Sequence, residues 1–530
     1  MEAVDYLIVG AGSAGCVLAN QLSEDPNCSV LLIESGGPNT SPLMKMPRGI
    51  GALLVPTNPN IWSYQVAPQP GRGDETWLKG RTLGGSSSVN GMVYVRGAPA
   101  DYDAWERSGC SGWGWRDIGP CFVALEDHEL AAKPMRGRGG PLKVTMHPTH
   151  HLLCEAAIEA ASQAGTRRVE DINDIDAVAA GGFGYQPRTV WQGKRFSAVD
   201  AFLTPARGRA NLRVVTNTHA LRIEFDGRRA CGVRLRDGAG ERTMVARREV
   251  ILCAGAIHSP KLLQLSGIGP GATLQAAGVP VLVDAANVGL NLREHRYLAL
   301  QFRVKDGSLN SSFGGFGLAR SLLRYYLTSS GPMTHAAHEA GGFIKSRPEI
   351  ERPDGQIGIG LYSMKKSGQV VAIDDKPGLT IGGYFVRPES QGDLRIQSPD
   401  PAAAPLINPN HFAAKIDRDS SISVFRWMRR LAAQPALAAH IQAELTPGPV
   451  VQSDDEILEA YLRLGNTAYH ISGTCRMGGD AQSVVDLTLK VRGVEGLRVV
   501  DTSIMPTLVS GNTNAPAMAI ALRAAQLIKG

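Results

Sequence analysis

The run Gly10-Ala11-Gly12-Ser13-Ala14-Gly15 sits directly after the apolar stretch Tyr6-Leu7-Ile8-Val9, and an acid, Glu34, closes the next apolar stretch. This G-x-G-x-x-G spacing suits a pyrophosphate. Gly10 permits a tight turn, Gly12 lets a phosphate approach the backbone, and Gly15 lets a helix pack closely on a sheet. Ser13 and Ala14 fall in the first helical turn, where free N–H groups and a partial positive charge face the anion. Glu34 can accept a ribose 2′-hydroxyl and would repel a 2′-phosphate, which disfavours NADP. The motif alone does not choose between NAD and FAD.

Two histidine groups invite a metal reading, His147-Pro148-Thr149-His150-His151 and His335-Ala336-Ala337-His338-Glu339. Neither has H-E-x-x-H spacing, and spacing sets no third ligand, so no metal is expected. The 8 cysteines contain no C-x-x-C, which points to free thiols in a reducing compartment. A net charge of +6 over 530 residues, with no basic stripe, excludes a nucleic-acid surface. No run is apolar enough to cross a membrane, and no secretory leader precedes the first strand, so a cytoplasmic location is expected.

These residues need elements to hold them. The opening reads as strand, glycine turn, helix over Ser13 to Ser23, then strand over Ser29 to Ile33. Residues 36–80 are rich in Gly and Pro and read as an excursion with little regular structure. A helix is expected over His150 to Ala164, strands over Leu212 to Glu249 and Glu249 to Ala254, and a helix after Ser259-Pro260. Past Tyr297 the texture changes, with strand candidates such as Asp393 to Ile396 and an amphipathic helix near Asp419 to Leu431. The pattern of the first part returns near Ser453, with a strand at Leu497 to Val500, Asp501 ending it, and a helix over Asn514 to Ile528. That length and this alternation predict two domains.

Four longer segments are more specific. They are Gly80-Arg81-Thr82-Leu83-Gly84-Gly85-Ser86-Ser87-Ser88-Val89-Asn90-Gly91-Met92-Val93-Tyr94, Gly255-Ala256-Ile257-His258-Ser259-Pro260, Tyr469-His470-Ile471-Ser472-Gly473-Thr474, and Val500-Asp501-Thr502 followed by Gly511-Asn512-Thr513-Asn514-Ala515-Pro516. In content and order they resemble the signatures of the glucose–methanol–choline oxidoreductases, among them bacterial choline-dehydrogenase-like and aliphatic alcohol dehydrogenases. The resemblance implies an α/β and α+β fold, with a Rossmann-like FAD-binding domain and a substrate domain built on an antiparallel sheet. The expected division gives 1-155, 205-296 and 453-530 to the FAD-binding domain, and 156-204 and 297-452 to the substrate domain.

The resemblance also implies the site. Gly84, Gly85 and Ser86 line the pyrophosphate and flavin edge, and Asn90, Gly91, Met92 and Val93 sit beside the isoalloxazine. Ala220 meets the adenine through its backbone, while Tyr469, Asp501 and Thr513 complete the cofactor contacts. Val89 stands where some relatives attach FAD to a histidine, so noncovalent FAD is expected. Thr513 or Asn514 is a candidate N-cap with Pro516 near the first helical position, placing a helix N-terminus at the flavin.

Alcohol oxidation removes a proton from oxygen and a hydride from carbon. Imidazole is the natural base. By resemblance His470 is that base, and Asn512 holds the alcohol oxygen and supports developing alkoxide charge. The expected reaction takes a primary aliphatic or aromatic alcohol to the aldehyde, passing electrons to a quinone or another acceptor. The alternatives are an oxidase that uses O2 and releases H2O2, and an FAD-containing hydroxynitrile lyase. A quinone acceptor would bring the chain against the inner membrane as a peripheral protein. The sequence assigns no role to Glu294-His295 and leaves the oligomeric state open.

Overall fold

A computed structural model describes residues 3–148, 150–367 and 370–530; Thr149 of the first histidine group lies outside them. Five parallel strands form one sheet, in the spatial order Leu212–Val215, Val30–Ile33, Ala3–Val9, Gly240–Leu252 and Leu497–Val499. Their middle residues are apolar and buried, as strands covered on both faces require. The first half of Gly240–Leu252 extends beyond this layer and pairs with Arg229–Asp237, which pairs in turn with His219–Asp226. The register Val9 to Ile33 and Val9 to Leu252 brings the carboxyl ends of the parallel strands to one edge. The loops after Val9, Ile33, Leu252 and Val499 therefore meet there, and that edge is where open α/β sheets bind ligands.

The second sheet is antiparallel. Its strands run in the order Ile441–Thr446, Arg296–Val304, Gly378–Phe385, Gly355–Gly360, Ala340–Ile344 and Gly182–Tyr185. Leu298, Leu300 and Phe302 alternate along Arg296–Val304 and pack with helices Leu152–Gln163 and Lys415–Ala433. Other positions of this sheet are kept small. A Cβ at Gly382 would lie 1.7 Å from the Tyr297 hydroxyl, and one at Gly358 would lie 2.6 Å from the His338 ring. The Tyr297 hydroxyl and the His338 ring thus rest against a glycine floor.

The structure departs from the sequence expectations in several places. Residues 36–80 carry short helices at Pro42–Lys45, Pro47–Gly49 and Ile50–Leu53 and a hairpin of Ile61–Gln65 with Thr76–Gly80. The expected boundary at residue 155 cuts through helix Leu152–Gln163, whose Leu153, Ala157 and Ile158 pack in the second core. Ile457, Ala460 and Tyr461 of helix Asp454–Leu464 also pack there, whereas the sequence pattern places 453-530 with the first domain. Both helices shift because tertiary packing, not the helical pattern, decides which sheet they cover.

Pro260 lies inside helix Gly255–Leu265 and not before it. It cannot bond the carbonyl of Ala256, and the Thr474 hydroxyl, 2.7 Å away, donates to that oxygen instead. Pro516 is the third residue of helix Asn514–Lys529, and Thr513 caps it without a side-chain hydrogen bond.

Candidate functional site

A single cavity of about 870 Å³ runs between the carboxyl edge of the parallel sheet and the glycine floor of the antiparallel one. Gly10, Gly12, Ser13, Ala14, Glu34, Gly85, Ser86, Asn90 and Gly91 all line it. So do Met92, Val93, Ala220, Tyr469, His470, Asp501, Asn512 and Thr513. Gly15 and Gly84 shape it from behind. A Cβ at Gly15 would meet the Gly10 carbonyl at 1.9 Å, and Gly84 adopts φ 85° while its amide bonds the Ala11 carbonyl.

The glycine turn is built as a cradle. Gly10 has φ 102°, which only glycine adopts freely. A Cβ at Gly12 would meet nothing nearer than 4.0 Å, so that backbone is open to the cavity. Helices Ser13–Leu22 and Asn514–Lys529 both begin at this wall, joined by a 2.7 Å hydrogen bond from the Ser13 hydroxyl to Asn514 Oδ1. Their free N–H groups and partial positive charges suit a pyrophosphate.

Glu34 lines the cavity but also has a structural task. Its Oε2 accepts the Ala11 amide at 3.0 Å and its Oε1 the Gly36 amide at 2.8 Å, which holds both loops. Oε1 also accepts the Ser35 hydroxyl at 3.3 Å, so the lone pair left for a ribose is on Oε2. Asp501 works similarly, accepting from Gly255 and Ser503 amides and from the Ser259 hydroxyl at 2.5 Å. Beside Glu34 stands a group the sequence reading did not identify. Arg81 stacks on Trp62 and bonds His219 at 3.0 Å, while the His258 ring lies 4.6 Å from the Trp62 ring.

Asn90 is held by Arg195, a buried side chain that also escaped the sequence reading. Arg195 donates to the Asn90 side-chain and backbone oxygens, both at 2.7 Å, and to the Met44 carbonyl at 2.9 Å. Met92 and Tyr469 on the cavity wall have φ of 62° and 67°, an uncommon conformation for such residues that marks functional walls in many folds.

The reacting group is set by one chain of hydrogen bonds. His295 Nε2 lies 2.9 Å from the Val386 carbonyl, which can only accept, so Nε2 carries the proton and Nδ1 is a lone pair. His470 Nδ1 lies 2.9 Å from that lone pair and must donate to it. Neutral His470 therefore presents an unprotonated Nε2 to the cavity. The Asn512 amide nitrogen, 3.0 Å away, donates to this Nε2. Gln356 donates to Asn512 Oδ1 at 3.0 Å, and the Tyr384 hydroxyl donates to Gln356 Oε1 at 2.5 Å. Tyr384 also stacks on His295, with ring centres 4.6 Å apart.

Electrostatics keep both imidazoles neutral. Burial, then the neighbouring His295 and Lys79, hold His470 well below its ordinary 6.5, and burial takes His295 down to about 3. Glu294 accepts the backbone amides of His295 and His470 at 2.9 Å, and burial lifts its carboxyl to about 7 against the pull of Lys79. Lys79 donates to the Tyr469 carbonyl at 2.7 Å, and burial lowers its ammonium to about 8.

Opposite this chain the wall is neutral. Tyr297, Tyr362, Met364 and His338 line it, and His338 is held near 4, first by burial. The acids lining the cavity are Glu34 and Asp501, both engaged by backbone amides. Of the second histidine group, Ala337 and His338 reach the cavity, whereas His335 turns away to bond Glu339 at 2.9 Å.

Residues 4–297 and 388–521 match the N- and C-terminal domains described as GMC oxidoreductase. The chain is 39% identical to an alcohol dehydrogenase [acceptor] of Pseudomonas putida, over 99% of this chain and 95% of that one. It is 40% identical to a mitochondrial choline dehydrogenase of Mus musculus, over 99% of this chain and 89% of that one. Among solved structures it is similar to pyridoxine 4-oxidase from Mesorbium loti, with TM-score 0.88, 31% identity, and coverage of 99% and 98%.

Proposed function

The chain belongs to the GMC oxidoreductase family, and from that premise we propose that it oxidises a primary aliphatic or aromatic alcohol to the aldehyde with His470 as base. The family's members are FAD-dependent flavoproteins acting on alcohol-type donors, and FAD is the cofactor here. The residues present fit it: the open backbone at Gly12, the two helix N-termini and the remaining lone pair on Glu34 Oε2 suit a dinucleotide. Val89 lines the cavity and offers no atom for covalent attachment, which supports noncovalent binding. When bound, FAD supplies the hydride acceptor, flavin N5.

The observation that carries this reading is the direction of the hydrogen-bond chain, which leaves a lone pair on His470 Nε2 beside an amide donor. An alcohol oxygen seated between them replaces their direct contact. Its hydroxyl donates to Nε2, and its oxygen accepts from Asn512. As His470 takes the proton, Asn512 stabilises the alkoxide charge, and Gln356 keeps the amide in that orientation. The new imidazolium keeps its Nδ1–H on His295. Collapse of the alkoxide then expels the hydride from carbon.

The neutral wall supports an uncharged alcohol. A quaternary ammonium substrate is commonly met by a carboxylate or an aromatic cage, but both cavity acids are engaged by backbone amides, and the face of Tyr362 is covered by Arg48, whose charge is answered by Glu339 at 2.7 Å. Electrons pass to a quinone or another acceptor. The test is turnover of an alcohol series with a soluble quinone or with O2 alone. Faster oxidation of neutral primary alcohols than of choline, with little peroxide in air, supports the reading. Preference for choline, or stoichiometric peroxide, would overturn the substrate or the acceptor assignment respectively.

A further inference from the structure

Helix Gly315–Thr328 turns an apolar face to solvent. Phe316 is 85% exposed, Leu323 62%, Tyr326 63% and Leu327 74%. Positions 316, 323 and 327 share one stripe of the helix, and Arg320 and Arg324 flank it on one side. The opposite face is satisfied. Leu318, Leu322 and Tyr325 pack with Met46 and Met333. The outward face is therefore unpartnered, and its composition is one-sided: from Gly307 to Thr334 the chain has no Asp or Glu. Neither arginine forms an ion pair among the described residues.

The helix packs against Met46, two residues from the cavity wall. Met46 leads into Arg48, which lines the cavity and stacks on Phe313 and Tyr362. Val55 and Met364, each more than a third exposed, line the same cavity at its opening. At the far end of the helix, Gly193 abuts Ser329, which places exposed Trp191 and Lys194 beside it. An amphipathic helix with Phe and Leu outward and arginines alongside has the composition of one that lies in a membrane interface, its cations on anionic headgroups.

We propose that this face docks the protein on an anionic lipid bilayer, with the mouth of the cavity against the membrane. Charge favours lipid over a second copy of the chain. A two-fold contact across this helix would bring its arginines toward one another with no acid on the helix to answer them. Continuity with the mouth gives the docking a use, because a cavity opening against lipid takes apolar alcohols and electron acceptors from the lipid phase. The proposal goes beyond the oxidation chemistry and is read out without turnover, so either can fail alone.

The experiment is co-sedimentation of the FAD-loaded full chain with vesicles of phosphatidylglycerol and phosphatidylcholine in equal parts, and with phosphatidylcholine alone. The wild type is expected to bind the anionic vesicles, more weakly as salt rises. Phe316→Glu/Leu323→Glu/Leu327→Glu should weaken that binding by at least ~10-fold, and Arg320→Ala/Arg324→Ala should weaken it toward the level on neutral vesicles. Val450→Glu, at a site 79% exposed beside helix Lys415–Ala433, should bind as the wild type does. Flavin absorbance and the unfolding midpoint show that the variants fold. Absence of wild-type binding, or equal binding by the triple variant, would overturn the proposal. So would a wild-type dimer that the triple variant splits, since the face would then belong to a second copy.

Discussion

The imidazoles of His295 and His470 meet Nδ1 to Nδ1 at 2.9 Å, and only one proton arrangement satisfies both, because His295 Nε2 already donates to the Val386 carbonyl. His295 is thus a positioning residue that sets the tautomer of the base. His295→Phe removes the acceptor and should lower kcat by about 10- to 100-fold with flavin still bound, a modest share of what general-base catalysis supplies. His295→Gln, whose amide oxygen can accept, should recover part of the loss. Steady-state rates and flavin content check this. Equal losses in the two variants would point to packing alone.

Asn512 is argued to act on the oxygen as charge develops. Asn512→Ala should reduce kcat by about 10² to 10³, the range for losing one such donor, with a smaller change in KM. The two residues hold one oxygen between them, so His470→Ala/Asn512→Ala should lose far less than the product of the single losses. A multiplicative double mutant would mean that the groups act separately.

The backbone at Gly12 is open to the cavity, whereas a Cβ at Gly85 would lie 2.8 Å from Gly12 Cα. Gly12→Val should therefore fold, because its side chain enters empty space, yet lose most of its flavin. Absorbance of the purified variant, with its unfolding midpoint measured against wild-type apoprotein, tests this. Full flavin occupancy in Gly12→Val would contradict the cofactor placement.

The parts of this site that the sequence announces are local. The strand, glycine turn and helix at residues 6–22 follow from an apolar run, glycine spacing and helical composition, and the observed helix Ser13–Leu22 ends within one residue of the reading. His470 and Asn512 came from motif resemblance and lie 3.0 Å apart although 42 residues separate them. His295 is not legible as a site residue because nothing near it in sequence signals a partner 175 residues away. Gln356 and Tyr384 lie in neighbouring antiparallel strands and meet only through register. Residues 36–80 read as irregular because Gly and Pro mask short helices whose stability comes from packing, as Met44 and Leu53 against Leu78 show.

Buried neutral histidines make stability depend on pH. Burial comes first in lowering His295 and His258 to about 3 and His338 and His128 to about 4, while the unfolded chain titrates near 6.5. Between those values the unfolded chain holds more protons, so this stability is complete above 6.5 and is lost as pH falls toward 4. Each such histidine adds a slope of about 1.4 kcal/mol per pH unit in that window. Urea unfolding at about pH 7.5, 6 and 5 should show a falling free energy, and His338→Asn should reduce that slope by about 1.4 kcal/mol per pH unit. A constant free energy would contradict the neutral assignment.

The most direct test of the central claim is anaerobic rapid mixing of the flavin-loaded protein with a primary alcohol and with the same alcohol deuterated at the carbinol carbon. The account predicts that the oxidised flavin bands bleach, that deuteration slows the bleaching, and that His470→Ala slows it by about 10² to 10⁴. Flavin that no primary alcohol bleaches, or a His470→Ala rate equal to that of the wild type, would contradict it.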